Sequence, residues 1–140
     1  MSEPLIDEGS RKALTEKFQR ELQNEVGLSV FVGPENEEYC DFTVQLCDEL
    51  SGLDSRIAPT VYQDSDEEAV RLSVARTPTV LIGWDQGYKV KYTGAPVGQE
   101  AGGFIETISL MSRGESGLQA DSRAKLQNVD RDVSIQVYVT

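Results

Sequence analysis

Two short apolar runs, each set against a proline, constrain this chain more than any other feature. Leu28-Ser29-Val30-Phe31-Val32 is too apolar for a half-exposed strand and reads as a central strand of a sheet. Gly33-Pro34 breaks it. A helical pattern follows at once, opening with Glu37-Glu38-Tyr39-Cys40. Further on, Arg76-Thr77-Pro78-Thr79 leads directly into a second apolar strand, Val80-Leu81-Ile82.

The elements around these runs follow from periodicity and punctuation. Leu14, Phe18 and Leu22 recur at four-residue spacing and predict an amphipathic helix over Ser10 to Glu25, ended by Gly27. The next helix is expected from Glu38 to Leu50, with Tyr39, Phe42, Leu46 and Leu50 as its apolar stripe, flanked by Cys40, Val44 and Cys47. Glu35, Glu37, Glu38 and Asp41 crowd its N-terminal end, where negative charge complements the helix dipole.

Arg56 to Tyr62 reads as a strand, at an edge because of Pro59. Asp66 to Ala75 reads as a short helix. Val80 to Gly83 and Tyr88 to Thr93 form a hairpin turning at Asp85-Gln86-Gly87, with Trp84 as a packing residue. A helix from Gln99 to Arg113 closes the unit, and close packing against the sheet would account for its Gly102 and Gly103. Gly114 to Gly117 marks a boundary, a further helical turn or two covers Asp121 to Gln127, and Val133 to Thr140 alternates as a strand does.

A chain of 140 residues favours one domain with flanking elements, able to fold without disulfide or metal. The net charge of −11 argues against nucleic acid and anionic membranes as partners. The acidic residues are dispersed and lysines are few, a composition suited to a salt-loving cytoplasm in which high ionic strength screens self-repulsion. No apolar run is long enough to span a membrane, and the first residues lack a secretory pattern, so a cytoplasmic, reducing setting is the default.

There are two cysteines, Cys40 and Cys47. On one helix, at ~1.5 Å rise per residue, their Cα atoms are roughly 10 Å apart. A disulfide needs about 7 Å or less. Cys47 reads as core. Cys40 reads as a small core residue before it reads as a reactive thiol, since free cysteine is usually buried and inert. With no histidine, triads and histidine-ligated metals are excluded. The acidic cluster matches no calcium loop, and no phosphate-binding glycine motif is present. Neither a metal nor another cofactor is expected.

The ordered set of features resembles thioredoxin and glutaredoxin domains. More specifically it is similar to the N-terminal unit of archaeal-type protein disulfide oxidoreductases, and to the N-terminal region of the alkyl hydroperoxide reductase flavoprotein. The residues that carry the likeness are Glu37 to Leu50, Arg76 to Gly83, and Tyr92-Thr93-Gly94-Ala95-Pro96 through Gly103 to Ile108. The implied fold is α/β: a thioredoxin-like three-layer arrangement with a central mixed β-sheet flanked by helices, an extra N-terminal helix and an extra C-terminal strand. The implied organisation is a domain over residues 1–117. Residues 118–140 would be a linker and terminal strand that, in such relatives, begins a second unit.

That resemblance aligns Glu37 with the first, nucleophilic cysteine of C-x-x-C and Cys40 with the second, resolving one. It places Thr77-Pro78 at the family's cis-proline loop. A carboxylate cannot attack a disulfide. The expectation is therefore a degenerate thioredoxin-like domain, a support or protein-binding unit of a thiol–disulfide oxidoreductase system, with catalysis in a second unit outside this chain. Tyr39, Thr77 and Pro78 would bind a thiol- or disulfide-bearing protein or peptide, using an exposed Thr77 backbone for strand addition. The alternative is a weak single-cysteine oxidoreductase in which Cys40 is catalytic. The terminal strand also raises the expectation of a homodimer.

Overall fold

The computed structural model describes residues 3–139. Helix α1 spans Glu8–Glu21, strand β1 Val26–Val32, helix α2 Glu37–Leu53, strand β2 Ile57–Gln63 and helix α3 Glu67–Arg71. Strand β3 (Thr79–Ile82) is joined to β4 (Val90–Thr93) through a 3-10 turn at Trp84–Gln86; helices α4 (Glu100–Arg113) and α5 (Ala120–Leu126) follow. The four strands form one mixed sheet in the order β2-β1-β3-β4. β1 runs parallel to β2 and antiparallel to β3, and β3 is antiparallel to β4.

β1 is central, as its composition requires. Its even-numbered side chains, Val26, Leu28 and Val30, enter the main core with Phe18 of α1, Leu46 and Leu50 of α2, and Phe104 and Ile108 of α4. On the other face Phe31 packs with Leu81 and Ala69 in a smaller cluster beside Tyr62 and Trp84. Burying residues such as Phe18, Leu50 and Phe104 stabilises the fold by about 1.5–3 kcal/mol per side chain. The expected edge character of β2 holds: it has one strand neighbour, and Pro59 sits within it.

Several boundaries differ from the sequence expectation for identifiable reasons. α1 starts at Glu8 because the Asp7 carboxylate accepts from the Ser10 amide, and it ends at Glu21, capped by Leu22, rather than running to Glu25 with Gly27 as its stop; Gly27 lies inside β1. α3 stops at Arg71, followed by Ser73 with φ 56. Gly102 and Gly103 are exposed, and a Cβ at either would meet nothing within 4 Å, so close packing does not explain them.

The largest difference is Val133 to Val139. It adopts no strand, lacks a sheet neighbour among the described residues and is exposed; Thr140 lies outside them. Alternation of apolar residues is a local signal, but a strand exists only where a neighbour supplies its hydrogen bonds.

Candidate functional site

β1 delivers the chain to Gly33-Pro34, and Glu35-Asn36 turns it into α2. Asn36 holds a left-handed conformation, φ 59 and ψ 40, which asparagine tolerates better than most residues. Its carbonyl accepts from the Cys40 amide at 2.9 Å, the first hydrogen bond of the helix. Glu37 is thus the first helical residue, and Glu37, Glu38 and Tyr39 are all exposed. The buried face of α2 is Cys40, Thr43, Leu46, Cys47 and Leu50. Tyr39, expected on the apolar stripe, is instead 53% exposed.

Opposite the helix start lies the Thr77–Pro78 peptide bond, which is cis. The Asn36 side-chain amide donates to the Thr77 carbonyl at 3.1 Å. The Thr77 hydroxyl donates back to the Glu35 carbonyl at 3.2 Å. The Cys40 thiol faces the same Glu35 carbonyl at 3.6 Å. Thr77 is 5% exposed and Pro78 is buried. The structure therefore brings Glu37, Cys40, Thr77 and Pro78 to one place. The Thr77 backbone, expected to be open, has its carbonyl occupied by Asn36.

Asn36 and Glu35 were not legible as site residues. The signal was present in part, since asparagine before a helix commonly occupies the cap position. Here, though, its side chain makes no capping bond and turns to Thr77.

Cys40 is 3% exposed and lines an open groove of about 1120 Å³, whose wall also includes Gly33, Pro34, Glu37, Asp41 and Val44. Cys47 is fully buried, and burial, aided by the nearby Asp48 charge, pushes its thiol up to about 12. Both cysteines are free. No cluster of metal-ligating side chains occurs among the described residues.

A strand, a loop into a helix whose start faces a cis-proline, a hairpin and a covering helix define a thioredoxin-like domain. Solved structures agree. A protein disulfide oxidoreductase from Aeropyrum pernix is similar at a TM-score of 0.73 and 27% identity, over 87% of this chain and 54% of that one. The alkylhydroperoxide reductase protein AhpF of Enterococcus faecalis is similar at a TM-score of 0.73 and 19% identity, over 88% of this chain and 60% of that one. A separate structure of its N-terminal domain gives a TM-score of 0.72 at 20% identity, over 86% and 59%. This chain thus spans between half and two thirds of the length of these proteins. No protein-family model matches the sequence, and no curated protein matches it.

Proposed function

We propose that this chain is a degenerate thioredoxin-like domain that supports, or binds a protein partner for, a thiol–disulfide oxidoreductase system. The observation that carries this is Glu37 at the first position of α2, opposite Thr77–Pro78, where an oxidoreductase of this fold needs a nucleophilic cysteine. Among relatives of similar fold is a protein disulfide oxidoreductase, and the chain covers 54% of it, which leaves room for the chemistry in a second unit.

The proposed partner is a thiol- or disulfide-bearing protein or peptide, met by Tyr39 and by the Thr77–Pro78 loop. Tyr39 offers an exposed aromatic face. Pairing an extended peptide to the Thr77 carbonyl requires the Asn36 amide to leave it. Residues 1–117 are the domain in this reading, and 118–140 a linker with a strand-forming end. No helix among the described residues is long and apolar enough to cross a membrane, and the acidic composition fits a salt-rich cytoplasm.

The experiment is Glu37→Cys, assayed for disulfide reduction of a generic protein substrate such as insulin. The chain itself should be inactive and the variant active, since the helix start and the facing proline would then serve a C-x-x-C pair. A folded but inert variant overturns this reading. Catalysis by Cys40 alone is the second reading, favoured by its place on the groove and opposed by its 3% exposure. Any turnover of the unmodified chain that Cys40→Ser abolishes would establish it.

A further inference from the structure

Every carbonyl in the loop that enters β3 already accepts a bond. Arg76 accepts from the Thr79 hydroxyl at 2.7 Å, Thr77 from the Asn36 side-chain amide at 3.1 Å, and Pro78 from the Gly94 amide at 2.8 Å. The Pro78 bond is backbone to backbone and extends the pairing of β3 with β4. The Thr77 bond is different, since it is made by a side chain from the start of α2. The Thr77 amide donates to nothing among the described residues.

An extended peptide pairing with Thr77 as a strand does uses both groups. It accepts from the Thr77 amide and donates to the Thr77 carbonyl. The first group is open and the second is taken.

Asn36 holds this bond without depending on it. It is exposed, with φ 59 and ψ 40, and its side chain makes no cap bond to α2. Withdrawn from Thr77, its amide meets water and stays satisfied. The Thr77 carbonyl belongs to a residue only 5% exposed, and it needs another donor in exchange. The bond from the Thr77 hydroxyl to the Glu35 carbonyl uses neither of the two pairing groups, so it can persist through the exchange.

We propose that Asn36 is an intramolecular latch. Its side-chain amide stands in for the backbone N–H of an extended peptide partner, which must displace it to pair with Thr77. This rests on the peptide-binding reading above and adds the residue that sets the affinity. With the latch present, one bond breaks for each one made, and the exchange is close to neutral. Without it, the peptide N–H satisfies a nearly buried acceptor that has no other partner. What Asn36 contributes to the free domain is therefore subtracted from the affinity for peptide. Proline has no N–H, so a partner with proline opposite Thr77 gains nothing from removal of the latch.

Thiol–disulfide exchange tests this. Glu37→Cys/Cys40→Ser protein is prepared as its mixed disulfide with glutathione and mixed with a heptapeptide of alanines around one cysteine. The peptide thiolate attacks the introduced sulfur, glutathione leaves as its thiol, and no net oxidation occurs. The probe is then tethered beside Thr77, where weak pairing registers in the equilibrium constant. Asn36→Gly permits the same backbone conformation, and Asn36→Asp keeps the shape but cannot donate when ionised. Both should raise the constant about five- to 150-fold while making the free domain less stable. Methylating the peptide nitrogens one at a time should abolish the rise at a single position. An unchanged or lower constant in either folded variant, with the probe still preferred to one methylated throughout, overturns the latch and leaves peptide pairing standing. A rise that survives methylation at every position overturns it as well. No preference between the two probes, in parent or variants, removes the peptide-binding reading and the proposal with it.

Discussion

The side-chain amide of Asn36 and the backbone carbonyl of Thr77 are hydrogen-bonded at 3.1 Å, joining the start of α2 to the cis-proline loop. With the Thr77 hydroxyl returning a bond to Glu35, two segments 41 residues apart in sequence are held as one unit. Asn36→Ala leaves the nearly buried Thr77 carbonyl without its partner. The expected loss is about 1–3 kcal/mol, the cost of an unsatisfied buried acceptor. Urea denaturation should register it as a lower midpoint at unchanged slope.

Cys47 should stay unreactive throughout the range in which the domain is folded. Burial raises its thiol from 9.0 to about 12, so the native state keeps the proton after the unfolded state has lost it. Stability from this group is intact below pH 9.0 and declines between 9.0 and about 12 as pH rises. In a Cys40→Ser background, iodoacetamide labelling at neutral pH should occur only after denaturant is added. Replacing Cys47 with alanine should flatten the alkaline decline.

Asp54 and Arg56 make an acid-sensitive clasp. The Arg56 guanidinium donates to the Asp54 carboxylate at 2.7 Å and to the carbonyls of Phe18 and Leu22 at the end of α1. That side-chain bond, helped by the Arg56 amide and charge against the opposing effect of burial, holds the Asp54 carboxyl below its ordinary 3.8. The native state therefore binds fewer protons than the unfolded state near that pH. The stabilisation is present above 3.8 and is lost as pH falls through the lowered value. An acid titration followed by circular dichroism should show Asp54→Asn less stable than the parent at neutral pH, with the gap closing in acid.

Self-repulsion should make the domain salt-dependent. With a net charge of −11 the folded state gains from screening, and the Debye length shrinks from ~30 Å at 0.01 M salt to ~3 Å at 1 M. The melting temperature should rise steadily with potassium chloride over that range. A melting temperature that ignores salt would remove the support for a salt-rich home.

The fold was largely legible because its signals are local. β1 announces itself by an unbroken apolar run, α2 by its period and Gly33-Pro34 before it, and β2 as an edge by Pro59. The polar fastenings were not. Ser112 is fully buried, and its hydroxyl accepts from the Gln23 and Asn24 amides and donates to the Asn24 carbonyl, tying α4 to the α1–β1 connection. A serine late in an amphipathic helix reads as solvent-facing until the partner 88 residues away is in place.

Residue identity and short-range periodicity set the order of elements from β1 to α4, the carboxylate at Glu37 and the thiol at Cys40, because both are properties of the chain alone. Tertiary structure decided the rest. It turned Tyr39 outward, closed the Thr77 carbonyl with Asn36 and left Val133–Val139 without a sheet. Each of those depends on which distant group arrives to pair with a polar atom or to cover an apolar one, and no local pattern records that.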